Sequence, residues 1–189
     1  MVVKIVGRFC YVKVFLMLPK YSRLAVVFHW VMALGIFIMF PLGIYMASLA
    51  LSPKKLQLYS YHKWLGVSIF VLVLLRLLWR IMRRPPALPS HYPEHIVWLS
   101  KLGHAGLYFF MLAVPISGWL MSSAMGFPTV WFGVLPLPDL VARDKELADT
   151  LLNVHIYLNF AFVVLIIGHV LAALKHHYID KEPFLNRML

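Results

Sequence analysis

An all-α membrane protein, a bundle of four transmembrane helices, is what this sequence predicts, and three observations predict it. Hydrophobic residues make up 62% of the 189-residue chain and charged residues 13%, against ~45–50% and ~25% in soluble globular domains. Four apolar stretches are each long enough to cross a bilayer, which takes ~20 residues. The basic residues gather on alternate connections, as the positive-inside rule describes for membrane proteins. A soluble globule is excluded by the first observation, and a disordered chain by the same apolar excess. A disulfide scaffold is excluded because Cys10 stands alone. The net charge of +11 would suit a nucleic-acid binder, but its placement beside the spans favours the membrane and no nucleic acid.

Residues 1–20 read as an N-terminal extension. Their apolar run is broken by Lys4, Arg8 and Lys13, so they form either an interfacial amphipathic segment or an over-long start ahead of Met17. The membrane domain covers 21–189. Its spans run from about Leu24 to Leu51, Tyr61 to Trp79, Leu102 to Met125 and Leu151 to Leu174. Pro41 and Pro115 interrupt the first and third, where neighbouring helices can re-satisfy the freed carbonyls. The connection 80–101 contains Pro85, Pro86, Pro89 and Pro93 and reads as an extended surface connector. The connection 126–150 has three prolines, then a polar stretch suited to a short surface helix.

Four spans put both termini on one side. That side holds thirteen Lys and Arg, from Lys4 to Arg23, Arg76 to Lys101 and Lys175 to Arg187, against five on the other. Both termini are therefore expected in the cytoplasm. Lys54, Lys55 and Lys63 then face outward, as anchors at the interface or as attractors of an anion.

The histidines carry the functional information, because ionisable residues inside spans are rare and functional by default. His155 and His169 lie 14 residues apart on the fourth span. That spacing is only ~40° short of four full turns and ~21 Å of rise, so one helix face offers an imidazole near each membrane surface. Depth selects their partners. His29 lies six residues after Arg23 and His169 six before Lys175, which places both toward the inner side. His62 and His155 lie at matching depth toward the outer side. Two imidazoles facing each other across a bundle suit a six-coordinate haem iron. Zinc suits them less, since closed sites want four N/S ligands. A lone membrane histidine is also often an interhelical hydrogen bonder.

The neighbours leave alternatives open. Gly66, Gly168, Ala172 and Ala173 flank the ligands and would let a porphyrin approach the helices, and Gly43 would face the outer layer. Arg76, 14 residues after His62, looks either toward a haem propionate or, with Arg80, out to the interface. His104 is the rival inner ligand, and could instead bind a propionate or a quinone head group. His176 and His177 read as interfacial, and His91 and His95 as residues of the connector.

These segments resemble the prokaryotic cytochrome b561 family. The likeness rests on YSRLAVVFHW at 21–30, HKWLG at 62–66 with LLRLLWR at 74–80, LGHAGLYFF at 102–110 with PISGWLMSSA at 115–124, and HVLAALKHHYIDKEPFLNRML at 169–189. It spans nearly everything from Tyr21 onward. The resemblance implies two b haems as cofactors, with His29, His62, His155 and His169 as axial iron ligands, in an inner-membrane protein. It implies electron exchange with quinone, in some members as a superoxide oxidase and in others beside a periplasmic redox or lipid-binding protein. The expected function is therefore a di-haem electron carrier between a periplasmic donor, such as superoxide, or acceptor and membrane quinone. Two alternatives are a haem-bearing anchor subunit for a periplasmic dehydrogenase and a haem-free transporter. The small size and absence of an inverted repeat weigh against the transporter.

Overall fold

The computed structural model describes residues 20–87, 92–182 and 185–189. The proposed interfacial segment before Lys20 and the connector residue His91 lie outside the described residues. Four long helices form the bundle: α1 (Arg23–Ser48), α2 (Pro53–Met82), α3 (Glu94–Ala124) and α4 (Lys145–Leu174). All four are long and apolar enough to cross a membrane. They carry apolar side chains outward, as at Ile44, Phe37 and Val164, which are 73%, 66% and 70% exposed. Hydrocarbon solvates such a surface, whereas it leaves no backbone polar group unsatisfied only if the span is helical.

Local chemistry sets the ends. Ser22, Ser52 and Asp144 each accept a backbone N–H from three residues on, capping α1, α2 and α4. Pro53 opens α2 at the position where its missing N–H is harmless. Helix α3 follows Pro93 without a side-chain cap, with Glu94 in its first turn, where a negative charge complements the helix dipole. Pro41 and Pro115 sit inside α1 and α3 without ending them.

The helices outrun three of the expected spans. Helix α2 begins eight residues before Tyr61, and α3 eight before Leu102. Half of the connection 80–101 is therefore helix, and His95 belongs to the first turn of α3. The early turns of α3 mix Glu94, His95 and Lys101 with lipid-facing Trp98 and Leu99, so no continuous apolar run marks them. The polar stretch before Leu151 is likewise the start of α4, not a separate helix. Between α3 and α4 the chain makes a small antiparallel ribbon, β1 (Val130–Trp131) on β2 (Leu135–Pro136). Phe132 and Gly133 turn it with φ of 51° and 72°.

Helix α3 packs along α4 and helix α1 along α2. Met32, Ile69 and Val73 form the buried core, with Met39, Tyr108 and Met111 against it. On the α4 side Phe162 is buried, stacked on Phe110 at 5.9 Å and flanked by Phe40 at 6.4 Å. Phe162 is seven residues from both His155 and His169.

Each end of the bundle is closed by side chains that bond backbone carbonyls. At the ribbon end, Lys55 Nζ donates to the Leu49 and Ala47 carbonyls at 2.6 and 3.4 Å, satisfying the last turn of α1. Lys63 Nζ donates to the Phe127 carbonyl at 2.9 Å, and Trp64 Nε1 to that of Val130 at 2.7 Å, holding the ribbon onto α2. At the other end, a π-helical turn at Lys175–Ile179 follows α4. There Asp180 accepts from Lys175 and His176, and the Lys175 bond leads in holding its carboxyl below the usual carboxylate range. The last residues then return to α1. Tyr21 N–H donates to the Arg187 carbonyl at 3.2 Å and Trp30 Nε1 to that of Met188 at 2.7 Å. Arg187 is 3% exposed and its Nη2 donates to the Pro86 and Ala87 carbonyls, both at 3.0 Å.

Arg187 thus joins α1, the chain after α2 and the C-terminal residues. Arg187→Met keeps most of the stem and removes the donors. It should lower stability by ~1–3 kcal/mol, the usual cost of stranding buried polar partners, and expose the tail to limited proteolysis. Thermal unfolding in detergent checks this, and an unchanged melting temperature would show that the tail is not tied by this residue.

Candidate functional site

The bundle interior carries imidazoles at two levels. At the ribbon end His62 of α2 faces His155 of α4, with ring centroids 6.5 Å apart and planes at 80°. At the terminal end His29 of α1 faces His169 of α4, at 6.3 Å and 63°. Two imidazoles bound on opposite sides of one metal ion have a characteristic spacing. A metal–nitrogen bond of ~2.0–2.1 Å plus ~1.1 Å from nitrogen to ring centre, counted twice, gives ~6.2–6.4 Å. Both pairs lie within about 0.1 Å of this spacing.

The donor set also fits a haem. A porphyrin supplies four equatorial nitrogens and asks the protein for two axial ligands. Among the described residues no group of three or more His, Cys, Asp or Glu is placed to hold a metal ion, so a closed four-ligand zinc site has no counterpart there. The Nδ1 of His62 is buried with no hydrogen-bond partner among the described residues. Two glycines seat the rings at this level. A Cβ on Gly43 would lie 3.4 Å from His62 Cε1, and one on Gly118 would lie 3.0 Å from His155 Cε1. Of the expected flanking glycines, Gly43 does face this layer, whereas Gly66 lies against Met39 and a Cβ on Gly168 would meet no atom within 4 Å.

His104 joins the terminal-end level. Its ring centroid lies 5.5 Å from that of His169, closer than the spacing of two ligands across one metal. Its Nδ1 lies 2.6 Å from the Ser100 carbonyl one turn back. A carbonyl only accepts, so this nitrogen carries the proton.

Arg76 and Arg80 part company. Arg80 is exposed, while Arg76 is half-buried and its Nε donates to the Tyr108 hydroxyl at 3.1 Å. Both guanidinium groups lie over the Tyr108 ring, at 5.9 and 5.6 Å. Arg76 is within electrostatic reach of His29, His104 and His169, and Arg80 is within reach of His104. Of the two orientations left open for it, the structure takes the inward one.

Four participants have little or no signature in the sequence. Phe162 is identifiable in retrospect as the midpoint of the His155–His169 interval. Ser117 and Gly118 lie in PISGWLMSSA, just past the proline of α3. Ser117 Oγ is 2.9 Å from His155 Nδ1, and the Val114 carbonyl is 3.1 Å from the same nitrogen. Tyr108, the partner of Arg76, carries no spacing signal, because the contact joins two helices.

A model described as prokaryotic cytochrome b561 matches residues 20–189. The chain is 36% identical over 175 residues to "Cytochrome b561 homolog 2" of Escherichia coli (strain K12), covering 90% of this chain and 91% of that protein. It is 33% identical over 179 residues to "Probable superoxide oxidase CybB" of Yersinia pestis, covering 90% and 96%. "Cytochrome b561 homolog 1" of Escherichia coli (strain K12) is 28% identical over 183 residues, covering 90% and 97%.

The glycine seats make a graded prediction. Gly118→Ala should push the His155 ring from its place and lower bound haem per chain. Gly43→Ala, whose added carbon meets His62 at ordinary contact distance, should lose much less. Haem absorbance relative to protein checks this, and equal occupancy in both variants would show that the rings are not held by these seats.

Proposed function

This chain belongs to the prokaryotic cytochrome b561 family, bacterial membrane cytochromes with b-type haem, and we propose that it moves single electrons between the outer membrane face and membrane quinone over two haems. The observation that supports two is the repeated pair. His62/His155 and His29/His169 share one spacing, and both draw their second member from the same face of α4. When bound, haem at each level would supply a one-electron Fe(III)/Fe(II) couple.

The chain's own residues do the rest. The four histidines would hold the two haems, one pair at each of two levels about four turns apart along α4. Phe162, Phe110 and Phe40 fill the space between those levels with aromatic rings and keep water out of it. Arg76, held by Tyr108, directs a positive charge to the His29/His169 level, where it suits a haem propionate. The thirteen-to-five distribution of Lys and Arg supports both termini in the cytoplasm, with that level as the inner one.

We take the donor to be superoxide, the substrate in the name of one relative. Two superoxide anions would each give up one electron and leave as dioxygen. One quinone would take both electrons and two protons to become a quinol. Lys55 and Lys63 commit their ammonium groups to carbonyls of α1 and the ribbon segment, which supports a structural role for them. Lys54 lies over the Tyr45 ring at 5.6 Å.

Single replacement of His29, His62, His155 or His169 by Ala should each remove one of two low-spin b-haem signals. It should also reduce superoxide-driven quinone reduction to background. His104→Ala should keep both signals. If His104→Ala removes one and His29→Ala does not, the pairing at the inner level is overturned.

A further inference from the structure

We infer that Ser117 is a positioning residue which, with the Val114 carbonyl, holds His155 as the Nδ1–H tautomer and tunes the potential of the iron that His155 binds. The inference rests on the reading of His155 as a haem ligand.

The hydrogen bonds fix the proton. His155 Nδ1 lies 3.1 Å from the Val114 carbonyl oxygen. That oxygen has no hydrogen to give, so the nitrogen must donate and therefore carries the proton. Ser117 completes the arrangement. Its hydroxyl donates to the same Val114 carbonyl at 2.7 Å, one turn back along α3. With its only proton so used, Oγ offers a lone pair to His155 Nδ1 at 2.9 Å. One N–H is thus shared between two acceptors, and Nε2 is left with a free lone pair. Ser117 is 4% exposed, so little water competes for the bond. Gly118, the next residue, lets the ring come close enough to make it.

The opposite ring is held differently. His62 Nδ1 is buried and has no hydrogen-bond partner among the described residues. The two imidazoles of one pair therefore differ in what supports them. A hydrogen bond to the far ring nitrogen raises the basicity of the ligating one. A more basic ligand favours the ferric over the ferrous ion, so His155 lowers the potential of its haem through Ser117. No comparable bond to Nδ1 of His169 or His29 is seen among the described residues.

The test compares Ser117→Val with Ser117→Thr, which match in shape and differ in the hydroxyl. Purified holoprotein is titrated by spectroelectrochemistry, and the midpoint that disappears in His62→Ala is assigned to this pair. Ser117→Val should raise that midpoint, leave the other unchanged and keep two haems per chain. Ser117→Thr should stay at the wild-type value. Ser117→Ala, which adds no atoms, should repeat the rise. Wild-type midpoints in both Ser117→Val and Ser117→Ala would overturn the inference, as would equal shifts in the Thr and Val variants. His155→Ala separates the two levels of argument. If it keeps both haem signals, the ligand reading itself fails. If it loses one while Ser117→Val and Ser117→Ala shift nothing, only the role of Ser117 fails.

Discussion

Polar rings inside a hydrocarbon-solvated bundle need partners, and this requirement organises the protein. An unsatisfied polar group in the membrane interior costs several kcal/mol, so histidines there must meet a metal, a hydrogen-bond partner or each other. Helix α4 places His155 and His169 on one face, four turns apart, and thereby sets two levels. Helices α2 and α1 answer with His62 and His29 at those levels. The rest of the packing follows from keeping the four rings aligned. Phe162 fills the midpoint, glycines stand where rings press on helices, and the core of Met32, Ile69 and Val73 holds α1 to α2.

The two ends of the bundle share a logic. At each, long cationic or indole side chains satisfy carbonyls that a helix end or a turn would otherwise leave bare. Lys55 does this for α1, Lys63 and Trp64 for the ribbon segment, and Arg187 for the chain after α2. Basic residues at both ends of the bundle therefore also carry structural bonds. Trp30 links one such closure to the functional layer, since its indole bonds the Met188 carbonyl and its ring packs on His29 at 5.1 Å.

What was legible in the sequence is what repeats or accumulates along one helix. Apolar length gave the spans, and the 14-residue interval with matched depth gave the facing of His29 with His169 and His62 with His155. Helix α3 started early because its first turns are polar on one side, which hides them from any search for apolar runs. The seat of His155 was illegible for a different reason. It joins a carbonyl of Val114, a hydroxyl of Ser117 and the bare Cα of Gly118 to a ring on another helix. Only the crossing of α3 and α4 brings these together, and no periodicity within one segment encodes it. The same holds for Arg76 with Tyr108 and for Arg187 with the Pro86 carbonyl.

The repeated pair makes a numerical claim that one measurement reaches directly. A pyridine haemochrome assay on detergent-purified protein, with a reduced-minus-oxidised spectrum, counts b haems per chain. Two per chain with a sharp reduced α band is the result predicted by two imidazole pairs of one spacing. One haem per chain would contradict the relay and leave one pair structural. None, after expression with ample haem, would contradict the reading of both.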